Sequence, residues 1–141
     1  MNSIVINKKQ GFTQIENCVL RHPLIPQAAK LVYGVLVSYS FSNKGAFPGQ
    51  DRIAYELQMS VRTVKRALQK LREHGLIKWE RRGLNKTNVY YILEVPAKIK
   101  NSYFESQHAW KVSKQLSQEQ KEVFKEETMK EWEERGFFDN I

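Results

Sequence analysis

Two short stretches with helical spacing, 50–57 and 61–74, stand only about three residues apart, and this arrangement constrains the fold more than any other feature of the chain. In the first, Ile53, Ala54 and Leu57 fall at i, i+1 and i+4 and share one face. After Gln58 and Met59, Ser60 is a good N-cap for the second stretch. There Val61, Val64, Leu68 and Leu71 recur at i, i+3, i+7 and i+10 with Ala67 beside them, which predicts one buried stripe. Gly75 stands where a left-handed residue ends a helix. Two helices on so short a connection predict a helix-turn-helix.

After Gly75 the period changes. Residues 76–82 alternate in the manner of a strand, 83–87 form a basic turn, and Val89, Tyr91, Leu93 and Val95 then alternate with Tyr90, Ile92 and Glu94. A hairpin behind a helix-turn-helix makes a winged helix. Ahead of it, Pro26 suits a first helical turn, and 27–39 predicts a central helix with Leu31, Val32, Val35, Leu36 and Tyr39 on one side. Phe12 to Ile15 reads as a short strand or extended segment, and 42–49 as a turn-rich connection. Pro96 closes the hairpin unit, and 97–102 reads as a linker. Beyond it, Ser117 and Gln120 have the form of a capping box, opening a helix that runs to about Arg135 with Gly136 as its stop. The predicted class is mainly α with a small β-hairpin (α+β). It is a winged helix-turn-helix with an additional N-terminal helix and a C-terminal helical extension, divided into 1–100 and 101–141.

Charge separates these two parts. Residues 1–100 carry 17 Lys+Arg against 6 Asp+Glu, and residues 101–141 carry 6 against 9. A basic unit favours a polyanion, because each cation that neutralises a phosphate releases condensed counterions. Charge alone fits a basic soluble surface as well, so the positions decide. On helix 61–74 the side opposite Val64 and Leu68 carries Arg62, Arg66, Gln69 and Glu73, with Thr63, Lys65 and Lys70 on the flanks. Arg and Lys suit the guanine acceptors of a major groove and Gln suits adenine, while the helix start with Ser60 and Thr63 suits phosphate. Gln50, at the start of the preceding helix, is also expected among the DNA-binding residues. Arg81, Arg82, Asn85, Lys86 and Thr87 lie at or beside the hairpin turn, within reach of a phosphate backbone or a minor groove. Charges at a hairpin also keep a sheet edge from aggregating. Trp79 and Tyr91, at alternate strand positions, are assigned to packing.

Other chemistries find little support. The single Cys18 allows no intrachain disulfide, and His22, His74 and His108 lie far apart without ligand partners at metal spacing. No phosphate-binding Gly-rich loop, paired nicking-site histidines or Ser/His/Asp set occurs, and Tyr90 and Tyr91 read as strand residues rather than nucleophiles. The expectation is a non-enzymatic protein without cofactor or metal. With no secretory signal at Met1 and no apolar stretch long enough to span a bilayer, it is also expected to be cytoplasmic and free of membrane.

The run from Phe47 through Ala54, then Met59 through Leu68, Leu71 and Gly75 through Ile77, resembles the helix-turn-helix domain of phage and plasmid replication-initiation and regulatory proteins of Gram-positive bacteria, a winged-helix family. Residues 15–23 and 29–33 are similar to that family's leading segment. The resemblance covers about residues 12–95 and implies DNA contact by Ser60, Arg62, Thr63, Lys65 and Arg66. Many relatives carry a basic residue just after the capping Ser; this chain has Val61. The expected function is sequence-specific binding of double-stranded DNA, in replication initiation or transcriptional regulation of a mobile element. A homodimer is expected from the paired half-sites such regulators bind, with 101–141 serving self-association or docking of a replication or transcription protein. The alternative is a protein-interaction module on the same scaffold, aimed at host replication or transcription machinery.

Overall fold

The computed structural model describes residues 11–40, 45–46, 48–116 and 118–136. In chain order these carry α1 (Asn17–Leu20), α2 (Gln27–Ser38), α3 (Gln50–Leu57), α4 (Val61–Glu73), β1 (Ile77–Glu80), β2 (Val89–Ile92), α5 (Ala97–Ser113) and α6 (Gln118–Glu134). The architecture is a winged helix-turn-helix with helices before and after it. The proposed capping Ser117, and residues 41–44 and 47 of the turn-rich connection, lie outside the described residues.

The core forms where α4 packs across α2 and α3. Val64, Ala67, Leu68 and Leu71 of α4 meet Val32 and Leu36 of α2 and Ile53 of α3 in one buried cluster. Ser60 caps α4 as expected: its Oγ accepts the Thr63 backbone N–H at 3.1 Å. At the other end the Leu76 N–H reaches back to the Leu71 carbonyl at 3.0 Å, a closure that requires the left-handed backbone of Gly75 at φ 75°. The turn between α3 and α4 is closed the same way by a residue less suited to it. Gln58 adopts φ 53°, so that the Met59 N–H can reach the Ala54 carbonyl at 3.0 Å.

The hairpin pairs Ile77 with Ile92 and Glu80 with Val89, antiparallel. Strict alternation predicts Tyr91 inside, yet Tyr90 is the residue in the core, at 1% exposure, and Tyr91 is half-buried. The register sets this: Tyr90 lies opposite Trp79 and Ile92 opposite Ile77, so these four share the face turned to the core. A third chain segment joins β2 at its other edge. Ala46 exchanges both backbone hydrogen bonds with Tyr90 at 2.8 Å, so β2 is flanked on both sides. That approach needs Gly45, where an added Cβ would stand 2.8 Å from Val89 Cγ1. Trp79 meets the Tyr90 ring edge-on, with centroids 5.9 Å apart, which supports its assignment to packing.

Several expectations are corrected outside this unit. Residues 11–16 form no regular element, and a single helical turn, α1, comes next with Val19 fully buried. Leu31 is exposed, because the covered strip of α2 runs through Ala29, Val32, Tyr33 and Leu36. Residues 97–102 are the first turns of α5 rather than a linker. Pro96 holds the N-cap position with φ −62° and ψ 148°, and Ile99, Ser102, Tyr103 and Ser106 form the buried stripe that docks α5 against α1. At the centre of that joint is His22. Its Nδ1 accepts the Leu24 backbone N–H at 3.1 Å, so Nε2 carries the proton and donates to Ser102 Oγ at 2.6 Å. Ser102 Oγ in turn donates to the Ile99 carbonyl at 3.0 Å. Burial, reinforced by His74 and Lys30, pushes the His22 imidazole down to about 4.

Candidate nucleic-acid interface

Three segments converge on one side of the core: the start of α3, the outer face of α4 and the hairpin turn. Residues 50–88 contain ten Lys+Arg and four Asp+Glu, so this side is where the basic excess is concentrated. Because Val64, Ala67, Leu68 and Leu71 are fixed in the core, the helical period forces Arg62, Lys65, Arg66 and Gln69 outward, and all four are exposed. Thr63 and Lys70, on the flanks, are half-buried.

The structure divides the expected residues into two groups. Gln50, Lys65, Asn85, Lys86 and Thr87 line a shared open cleft of about 470 Å³ between the helix starts and the wing, together with Pro48, Asp51, Asn88 and Tyr90. Arg62, Arg66 and Gln69 stand outside this cleft, on the outer ridge of α4. Gln69 is already engaged along the helix: it donates to Glu73 Oε1 at 3.1 Å and accepts from an Arg72 nitrogen at 2.6 Å. Ser60 and Thr63 share a hydroxyl contact of 2.8 Å, so the hydroxyls at the start of α4 are held in fixed positions.

In the wing, Arg82 turns back across the hairpin. Its Nε donates to the Thr87 carbonyl at 2.7 Å and a terminal nitrogen donates to Thr87 Oγ1 at 2.6 Å. This places Arg82 as a brace of the turn, while Arg81, Asn85 and Lys86 are exposed. Asn85 itself sits at φ 59°, a left-handed position that Asn tolerates better than most residues.

Three features of this surface escape the sequence reading. Val61, expected in the buried stripe, is 40% exposed; at the first position of α4, one turn before the covered Val64, it opens onto the cleft instead. Leu84 projects from the wing tip at 92% exposure. Arg72 stacks its guanidinium 4.1 Å over the Trp79 ring, tying α4 to β1. A cation in the last turn of a helix, with a Trp in the next strand, carries no sequence signal of that pairing. Among the described residues no group of His, Cys, Asp and Glu gathers that could hold a metal ion, and no helix is long and apolar enough to cross a membrane.

Residues 24–77 match a family model described as a helix-turn-helix domain. No curated protein sequence matches the chain. Among solved structures, the chain is similar to a "possible transcriptional regulator" from Methanosarcina mazei Go1, at 22% identity over 75% of this chain and 82% of that one, with a TM-score of 0.44. It is also similar to MepR, a transcription regulator of the Staphylococcus aureus multidrug efflux pump MepA, at 21% identity over 78% and 79% with a TM-score of 0.40. The S. aureus MepR–DNA complex gives 20% identity over 78% of both chains and a TM-score of 0.41. At that degree of overlap neither ligand nor assembly transfers from those proteins to this chain. The matched segment, from just before α2 to the start of β1, is the helix-turn-helix with its preceding helix.

Proposed function

We propose that this chain is a sequence-specific double-strand DNA-binding protein, acting at an operator or origin in transcriptional regulation or replication initiation. One observation carries the reading: α4 presents Arg62, Lys65 and Arg66 outward from a fully packed underside, with the wing's Lys86 and Asn85 across a shared cleft. In this reading the outer ridge enters the major groove, and Arg62 and Arg66 address guanine acceptors. Gln50, Ser60, Thr63, Lys65, Gln69 and Lys70 support that helix on bases and phosphates. Arg81, Asn85, Lys86 and Thr87 hold the backbone beside it, with Arg82 shaping the turn. The sequence resemblance to phage and plasmid replication and regulatory proteins supports a role in a mobile element.

In this reading residues 1–100 carry the DNA contacts, and 101–141, whose first part continues α5 and its dock on α1, serve self-association, into a homodimer on paired half-sites, or docking of a replication or transcription protein. The cytoplasm is the compartment this reading places it in.

The test is selection from a random duplex library at two salt concentrations, with the Arg62→Ala/Arg66→Ala double variant beside the wild type. An enriched motif that the variant loses supports base reading by α4, and its symmetry reports the number of subunits. Binding that ignores salt, or no enrichment, would overturn the reading in favour of protein docking. Chains ending after residue 116 and after residue 100 test the partition. The shorter one loses the buried Ser102, Tyr103 and Ser106 and is expected to melt earlier, while both retain the selected motif.

A further inference from the structure

The DNA-binding reading leaves one residue of the α4 surface unexplained, and the inference here rests on that reading. Val61 is the first residue of α4 and is 40% exposed, outside the core cluster that begins one turn later at Val64. It shares the cleft with Gln50, Asp51, Lys65, Asn85 and Lys86, which are polar or charged, and with Pro48 and Tyr90. At that exposure the side chain is only partly covered and adds little to the core beneath it. It does, however, have a fixed direction, since a Val on a helix keeps one χ1 rotamer. Arg62, the next residue, stands about 100° further round the helix, on the outer ridge.

A major groove offers donors and acceptors on every base pair but only one apolar group, the C5 methyl of thymine. Gln50, Lys65 and Asn85 can all address polar base edges or phosphates. Val61 cannot, and in the first turn of α4 it is the exposed side chain that is wholly aliphatic, whereas Thr63 is half-buried with its hydroxyl against Ser60. We propose that Val61 reads a thymine methyl, at the base pair neighbouring the one addressed by Arg62, and so makes thymine the preferred base at one position of the target. The contact is made at the cleft between the starts of α3 and α4 and the wing. Water released from both methyl surfaces supplies the preference.

The experiment uses the full chain and a duplex it selects from a random library. Each thymine is replaced singly by deoxyuridine, which removes the methyl and leaves base pairing intact, and affinities are measured for the wild type, Val61→Ser and Val61→Ile. One thymine is expected at which deoxyuridine weakens wild-type binding about fourfold, the scale of one buried methyl group. Val61→Ser is expected to bind the thymine and deoxyuridine duplexes equally at that position, while Val61→Ile keeps the difference. Equal deoxyuridine penalties in wild type and Val61→Ser at every position, or no penalty anywhere, would overturn this inference and leave DNA binding intact. Failure to select any duplex would overturn the DNA-binding reading and this inference with it. Thermal melts of the free variants check that α4 is retained.

Discussion

Helices α4 and α6 are both long and both charged, but they are anchored to different degrees. On α4, Val64, Ala67, Leu68 and Leu71 are each no more than 3% exposed. None of the described residues of α6 is buried; Val123 and Met129 are exposed, and Phe124, Thr128 and Trp132 are only half-covered, beside an open groove of about 490 Å³ against α5. Just past the end of α6, Arg135 reaches both carboxylate oxygens of Glu105 at 2.9 and 3.0 Å. The contrast separates two uses of charge. On α4 the cations are held where the core puts them, which is what the proposed base reading requires. On α6 the charge rides on a helix with little packing to fix its orientation.

The sharpest way to break this comparison is to remove hydrocarbon from each helix. Leu68→Ala should lower unfolding stability by ~2–5 kcal/mol, whereas Val123→Ala or Met129→Ala should stay within ~0.5 kcal/mol, both read by denaturant titration. If the two sites cost the same, α6 is packed more firmly than its exposure indicates.

Acid should act next, at the α1–α5 joint. The folded-state value of His22 is depressed, so the unfolded chain binds its proton first as the pH drops. Stability is therefore full above about 6.5 and declines as the pH falls toward 4, by on the order of 3 kcal/mol from this residue. His74, lowered mainly by burial, adds in the same direction. A His22→Gln variant should flatten the profile over that window, and an unchanged slope would remove His22 from the account.

Smaller effects sharpen the picture. Ser60→Ala deletes the cap of α4 and should cost ~1 kcal/mol in a thermal or denaturant melt. Arg135→Ala, at a half-exposed ion pair, should change global stability by less than ~0.5 kcal/mol. A loss well above that would mean that α6 is part of the cooperative unit.

The parts legible from sequence are those whose causes are local. The boundaries of α3, the three-residue turn, the Ser60 cap and the Gly75 stop stem from residues within a few positions of each other. So does the outward placement of Arg62 and Arg66. The parts that the sequence conceals depend on distant partners. Tyr90 rather than Tyr91 faces the core because the hairpin register sets it opposite Trp79, and a strand of Val, Tyr, Tyr and Ile does not by its own alternation show which face turns inward. The start of α5 passes for a linker because two of its four buried positions are Ser102 and Ser106, and each serine turns its hydroxyl back to a carbonyl of its own helix. Apolar periodicity cannot register such a stripe. Val61 misleads for the opposite reason: its spacing matches the inner stripe, but no neighbouring element extends far enough to cover it.

The bond from His22 to Ser102 joins residues 80 positions apart, while the turn of the helix-turn-helix is closed within five. The entropy lost in closing a loop grows with its length, and contacts distant in sequence form late. During synthesis α3 and α4 have emerged before Ser102 exists, so the surface that carries the cations takes shape first and the leading segment waits for α5 to lock it down. The order of assembly thus places the proposed DNA-binding surface ahead of the joint between α1 and α5.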